Sequence, residues 1–236
     1  MHWTDDAIIL SVRLHGETSA IVEVLARAQG RCMGLVRGGR SRRMRPALQP
    51  GNLVRVSWRA RLEEHLGSFD IELSAGYAAR AMEDKAALAA IITIGYFARL
   101  LPERDPHPEL YDTILTMLQR IDEPRERAAA YARFEFLLLQ ELGFGLDLSE
   151  CAATGATDDL IYVSPKSARA VSAQGGEPYK DKLLPLPQFL VTGDNPETPQ
   201  DNADALRLTG YFLEKHVLAP NGDRLPDSRS ALLAGL

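Results

Sequence analysis

Cysteine is almost missing from this 236-residue chain: Cys32 and Cys151 are the only two, 119 positions apart. Two thiols so placed make no disulfide framework. Histidine is scarce and scattered, and His2, His15, His65, His107 and His216 share no metal-ligand spacing. A Gly-x-x-x-x-Gly-Lys-Ser/Thr loop is absent, as are a His-x-x-x-His pair and a Gly-x-Ser-x-Gly elbow, so nucleotide hydrolysis and the common hydrolase chemistries have no support. The acidic pairs Glu63-Glu64 and Asp158-Asp159 are adjacent in sequence. Neighbours on a strand point to opposite faces, so such pairs read as solvated turn charges rather than metal ligands. These absences argue against an enzyme. The longest apolar run, Ala86–Leu101, is interrupted by Thr93 and Arg99. It falls short of a membrane span and reads as a buried helix. The start, Met-His-Trp-Thr-Asp-Asp, carries acids where a signal peptide needs positive charge, so a cytoplasmic protein is expected.

What is present is arginine, and it is concentrated. From Val24 to Leu62 there is no Asp, Glu or Lys, yet Arg27, Arg31, Arg37, Arg40, Arg42, Arg43, Arg45, Arg55, Arg59 and Arg61 all fall there. The densest part is Arg37-Gly-Gly-Arg40-Ser-Arg42-Arg43-Met-Arg45. The formal charge is -5 overall but +3 over residues 1–79 and -8 over residues 80–236. An acidic polymer is attracted to the first part and repelled by much of the second. Arginine's planar fork grips phosphate with two parallel hydrogen bonds, and glycine lets the backbone come close to a ligand. Arg31, Arg37, Arg40, Arg42, Arg43, Arg45, Arg55, Arg59 and Arg61 are therefore the candidate nucleic-acid-binding residues. The loop is polar and glycine-flanked, so it is expected to make few core contacts.

The first part reads as short strands: Ala7–Val12, Ser19–Ala26, Cys32–Val36, Asn52–Trp58 and Gly67–Leu73, with turn residues between them. Five strands in under eighty residues suit a small barrel, and the pattern fits an OB-fold or an SH3-like barrel alike. The arginine loop lies between the third and fourth strands. After about Gly76 the period turns helical. Helices are expected over Glu83–Leu101, His107–Ile121, Pro124–Leu142 and Ala203–Leu218, the first at the centre of a helical core. A short hairpin or irregular loop is expected in Leu160–Val171, then an extended connection marked by Pro185, Pro187, Pro196 and Pro199.

Several short motifs occur in a specific order: Gly16-Glu-Thr-Ser19, Gly30-Arg31, Arg37-Gly-Gly-Arg-Ser-Arg-Arg43, Leu48-Gln-Pro-Gly51, Arg133-Phe-Glu135, Leu142-Gly-Phe-Gly145, Asp147-Leu-Ser-Glu-Cys151 and Tyr162-Val-Ser-Pro165. On these the chain resembles the RecO family of bacterial recombination mediators over nearly its whole length. The resemblance implies an α+β protein, with a five-stranded OB-fold β-barrel at residues 1–78 and an α-helical domain at residues 79–236. It implies binding of single- and double-stranded DNA, strand annealing, partnership with RecR, binding of the acidic C-terminal tail of the single-stranded DNA-binding protein SSB, help to RecA in loading onto SSB-coated DNA, and a nucleoid-associated location.

Many relatives carry a four-cysteine zinc motif after the third long helix. Here Cys151 is followed by Ala-Ala-Thr154 and no later cysteine exists, so no structural zinc and no other cofactor is expected. The remnant, a hairpin insertion near residues 147–175, is expected to be held by packing through Ile161, Tyr162 and Val163. Binding a tail that ends in a carboxylate and an aromatic side chain needs a cation beside an apolar pocket. Arg133, with Phe136 and Leu137, is the candidate set. Trp3, Trp58 and Phe69 are candidates for stacking on bases, although strand alternation buries one face and favours the core for Phe69. Two other readings stand beside this one: an RNA-binding factor built on the same barrel, and a protein-interaction scaffold whose arginine loop meets an acidic partner.

Overall fold

Val54, Val56 and Trp58 alternate with Arg55, Ser57 and Arg59, and the computed structural model, which describes residues 1–62 and 65–234, turns the first set inward and exposes the two arginines. That period of two builds a five-stranded sheet. Its strands are β1 (His2–His15), β2 (Ser19–Ala26), β3 (Gly30–Val36), β4 (Leu53–Arg59) and β5 (Ser68–Ala75). Ala7, Ile9, Val22, Val24, Val36, Val54, Val56, Trp58, Phe69 and Ile71 form its apolar core. Each large aliphatic side chain so buried contributes on the order of 1.5–3 kcal/mol.

Four seams of the sheet are antiparallel ladders: β1–β2, β2–β3, β1–β4 and β4–β5. The pairing order, β1-β2-β3-β5-β4, returns to β1, but its β3–β5 link is one parallel pair, Leu35 with Ser68. The Leu35 N–H donates to Gly67 O there at 3.1 Å. The expectation of a five-stranded OB-fold β-barrel is therefore corrected. The sheet curls round with one seam barely joined, because β5 runs parallel to β3 and meets it only at its first residue.

Ile8, Leu10 and Leu25 point away from that core and are still buried. What covers β1 is helical. The compact unit carrying the sheet runs from Met1 to Pro124 and takes in the C-terminal segment from Ser228. It includes α1 (Tyr77–Ala81), α2 (Lys85–Ala98) and α3 (Pro108–Gln119). The Asp84 side chain caps α2 by accepting the N–H groups of Ala86 and Ala87. α2 lies on β1 so closely that a Cβ on Gly95 would sit 2.9 Å from Leu10 O. The long apolar helix thus serves the sheet rather than the centre of a helical core, and Thr93 on it donates to Ser228 Oγ at 2.7 Å.

The second unit spans Arg125–Asp227. Its main helices are α4 (Pro124–Glu141) and, beyond the short α5 (Ala173–Gly176) and α6 (Phe189–Thr192), α7 (Pro199–Phe212). Tyr131, Phe134 and Leu138 of α4 are fully buried, as are Leu206, Leu208 and Phe212 of α7. Thr198 and Asp201 close a reciprocal capping box at the start of α7. Past Phe212 the chain continues as a π-helical segment, Leu213–Leu218. This unit is not purely helical. β6 (Leu160–Val163), β7 (Ala170–Ser172) and β8 (Leu184–Pro185) form a sheet in the order β7-β6-β8, so the expected hairpin gains a third strand. The last helix, α8, is Asp227–Leu233.

Candidate nucleic-acid interface

β3 ends at Val36, and Gly38 reverses the chain with φ +68°, a conformation that costs glycine nothing. The next residues are tied down. Arg40 N–H donates to Thr18 O at 3.0 Å, and its guanidinium donates to Gly16 O at 2.7 Å, which fastens the loop to the β1–β2 turn. From Ser41 the backbone winds into helical turns: Met44 and Arg45 N–H both reach Ser41 O, and Leu48 N–H reaches Met44 O. Ala47 and Leu48 are buried, and Met44 packs on the sheet core. Buried Asn52 latches the far end, donating to Pro46 O and Ala47 O while accepting Ala78 N–H. The expectation of few core contacts is corrected on this point, since the second half of the loop is part of the core.

Arg37, Arg40, Arg42, Arg43 and Arg45 are all exposed on this anchored segment. Among the described residues no carboxylate pairs with any of them. Five like charges held together without counter-charge make a strongly positive patch, which a polyanion relieves. Beside it, the end of β1 and the loop enclose a niche of about 340 Å³ lined by Val12, Leu14, Gly39, Arg40, Arg45, Leu48, Gln49 and Pro50. Leu14 is 70% exposed there.

The other arginines lie apart. Arg55 and Arg59 stand on the outward face of β4, and Arg55 pairs with Asp6 at 3.0 Å. Arg61 is exposed. Arg31 is committed inside its own unit: it donates to Glu23 at 2.7 Å and to Leu101 O at 3.0 Å, with Glu103 at 3.6 Å. Trp58 and Phe69 are buried in the sheet core and closed to a base. Trp3 stacks on Trp58 with ring centres 5.8 Å apart, and the Trp58 indole N–H donates to Leu66 O. Glu63 and Glu64 lie outside the described residues.

In the second unit, Arg133 is also engaged. Its guanidinium donates to Gly193 O at 3.1 Å and to Asp194 O, and lies over the Phe189 ring at 5.3 Å. It closes the C-terminal end of α6, where orphan carbonyls need donors. Burial lowers its pKa, against the attraction of Asp194. Phe136 and Leu137 are half-buried on the same helix. Asp158 and Asp159 sit in the bend before β6.

Cys151 is a free, buried thiol. Its sulfur accepts the Ser172 N–H at 3.2 Å and the Ser172 hydroxyl at 3.3 Å. Burial pushes the thiol up, but these bonds, with those from Thr154 and Ala153, outweigh it and bring the pKa down to about 6. A tetrahedral four-cysteine zinc site does not fit here, because this unit holds one sulfur ligand. Among the described residues no three His, Cys, Asp or Glu side chains gather at a metal-holding distance. Packing of Val163, the Cys151–Ser172 bonds and the ion pairs of Arg169 with Asp147 and Glu150 hold the segment instead. The Arg169 pairs and β8 have no signal in the sequence pattern. Among the described residues no helix is long and apolar enough to cross a membrane.

Fold and site define a class: a protein whose β-sheet unit presents an anchored cationic loop. The comparisons give the family. Residues 1–77 match the model described as "Recombination protein O N terminal" and residues 82–225 the one described as "Recombination protein O C terminal". The chain is similar to proteins named "DNA repair protein RecO". It is 52% identical to that of Mesorhizobium japonicum, over 100% of this chain and 94% of the relative. It is 53% identical to that of Brucella abortus (99% and 95%) and 49% to that of Methylorubrum extorquens (99% and 98%). The chain belongs to the RecO family of DNA-repair recombination mediators, which is non-enzymatic.

Proposed function

We propose that this chain binds the DNA backbone through Arg37, Arg40, Arg42, Arg43 and Arg45, with Arg55, Arg59 and Arg61 as secondary contacts, and acts as a recombination mediator. The observation that carries the reading is the exposed, unneutralised arginine set on a loop latched at both ends. Arginines that neutralise phosphates release counterions, which gives affinity without sequence preference. Screening two strands on one surface lowers their mutual repulsion, so complementary strands anneal. Binding of both single- and double-stranded DNA follows, because phosphates are common to both. Family membership supports RecR and the SSB tail as partners and a role in loading RecA. Phe136 and Leu137 are the proposed apolar contacts for the tail. Arg31 is left out of the DNA surface because Glu23 and Leu101 O hold its guanidinium. Arg133 is left out of the tail surface because its Nη2 holds Gly193 O and Asp194 O while its face lies over Phe189.

The test is the salt dependence of binding by the Arg40, Arg42, Arg43 and Arg45 quadruple alanine variant. Four lost phosphate contacts on a single strand make the slope of log affinity against log salt shallower by roughly 3 units, at about 0.7 per contact. The loss is expected to be alike on purine-rich and pyrimidine-rich strands. An unchanged slope in a folded variant overturns the assignment. A matched RNA strand bound more tightly than DNA would favour the RNA reading.

A further inference from the structure

We propose that the niche between the end of β1 and the arginine loop takes one unstacked nucleotide of a single strand, its phosphate on Arg40 and Arg45 and its base against Leu14, Val12 and Pro50. This rests on the phosphate-binding reading above and deepens it from a charged patch to a site selective for strand state.

Two features of the niche carry the inference. First, its lining is mixed in chemistry: Arg40 and Arg45 share it with the apolar residues Val12, Leu14, Leu48 and Pro50. Leu14, the last apolar residue of β1, is 70% exposed. A purely ionic contact with phosphates has no use for such a surface. The volume, about 340 Å³, lies in the range of small-ligand sites, roughly 300–1,000 Å³.

Second, the cationic wall is fixed in advance. One guanidinium nitrogen of Arg40 holds Gly16 O at 2.7 Å, which leaves the rest of a five-donor fork for a ligand. Gln49, the one amide of the lining, donates through its NH₂ to Arg45 O at 2.8 Å. That bond steadies the Arg45 backbone. Preorganised groups bind without the cost of ordering them.

A base face against apolar side chains is sequence-tolerant, because every base has one. In a duplex those faces are covered by stacking and must be exposed at a free-energy cost. The phosphate contacts therefore accept either strand state, and the niche favours the single strand.

The experiment is a titration of the full chain and of Leu14→Ser with three oligonucleotides of equal length: oligothymidine, an abasic strand with the same phosphates, and a duplex. Wild type is expected to bind the abasic strand roughly five- to ten-fold more weakly than oligothymidine, the size expected when about half of a leucine-sized apolar surface is covered. Leu14→Ser is expected to lose a similar factor on oligothymidine and almost nothing on the abasic strand or the duplex. Equal wild-type affinity for abasic and base-bearing strands overturns the proposal, and that comparison needs no variant. So does a Leu14→Ser loss shared by single strand and duplex. Either result with the salt slope intact removes the niche alone, whereas failure of the slope test removes the phosphate reading beneath it.

Discussion

Arg31 and Glu23 form an ion pair at 2.7 Å, with their side chains only 14% and 9% exposed. The same carboxylate also accepts from Ser11 Oγ at 3.0 Å and pairs with Arg99 at 3.1 Å. Removing Arg31 leaves a buried carboxylate with Ser11 and Arg99 as partners. Arg31→Ala is therefore expected to lower stability by about 1–3 kcal/mol, as loss of a hydrogen bond to a charged group does. Urea unfolding measures this as a lower midpoint at unchanged m-value. The salt slope of DNA binding is expected to stay as in wild type. A slope shallower by one contact in a stable variant would restore Arg31 to the binding surface.

Arg133 is expected to behave as a brace. Arg133→Ala removes the donor to Gly193 and Asp194 and the cation over Phe189, so the turn after α6 loosens and stability falls by about 1–3 kcal/mol. Lysine restores part of this, since one ammonium cannot reproduce the planar fork. Limited proteolysis near residues 193–198 gives the readout. Wild-type stability together with loss of SSB-tail binding would instead make Arg133 a ligand-binding cation.

Cys151 gives a pH signature. Its thiol ionises at about 6 in the folded chain against 9.0 ordinarily. A group whose folded pKa is depressed stabilises fully above the unfolded value, and that contribution is lost as pH falls through the folded one. The stability difference between wild type and Cys151→Ser is expected to grow from pH 6 to pH 9 and to flatten above. Denaturant midpoints across that window test it. A difference independent of pH would mean that the sulfur stays protonated.

A chain ended at Gly76 loses α2 and leaves Ile8, Leu10 and Leu25 without their cover. Such a fragment is expected to bind apolar dyes and to unfold more readily than the full chain. A fragment as stable as the full chain would show that the sheet stands without its helices.

The strands and long helices were legible because their periods of 2 and 3.6 are local properties. Ser19–Ala26 of β2 and the start of α4 at Pro124 are where the pattern puts them. The role of Arg31 was hidden by one residue. The acid-free stretch begins at Val24, immediately after Glu23, and the β2–β3 register sets Glu23 opposite Met33, diagonal to Arg31. Pairs across a ladder depend on register, which charge counting along the chain does not include. The contacts of Arg133 were hidden for a similar reason: its acceptors, two main-chain carbonyls sixty residues on, have no side-chain signature. The loop arginines stood out because no acid lies near them along the chain, which is a local property.

The thin seam of the sheet has a consequence for how copies of this protein can crowd together. An unpaired strand edge offers its amides to any neighbouring chain, and pairing between molecules begins there. The open side of β3 is occupied at both ends: Arg31 bridges Glu103, and Leu35 bridges Ser68. Only Cys32, Met33 and Gly34 lie between. Three residues are too few to seat a foreign strand, so the seam gives a second copy's sheet no edge to join.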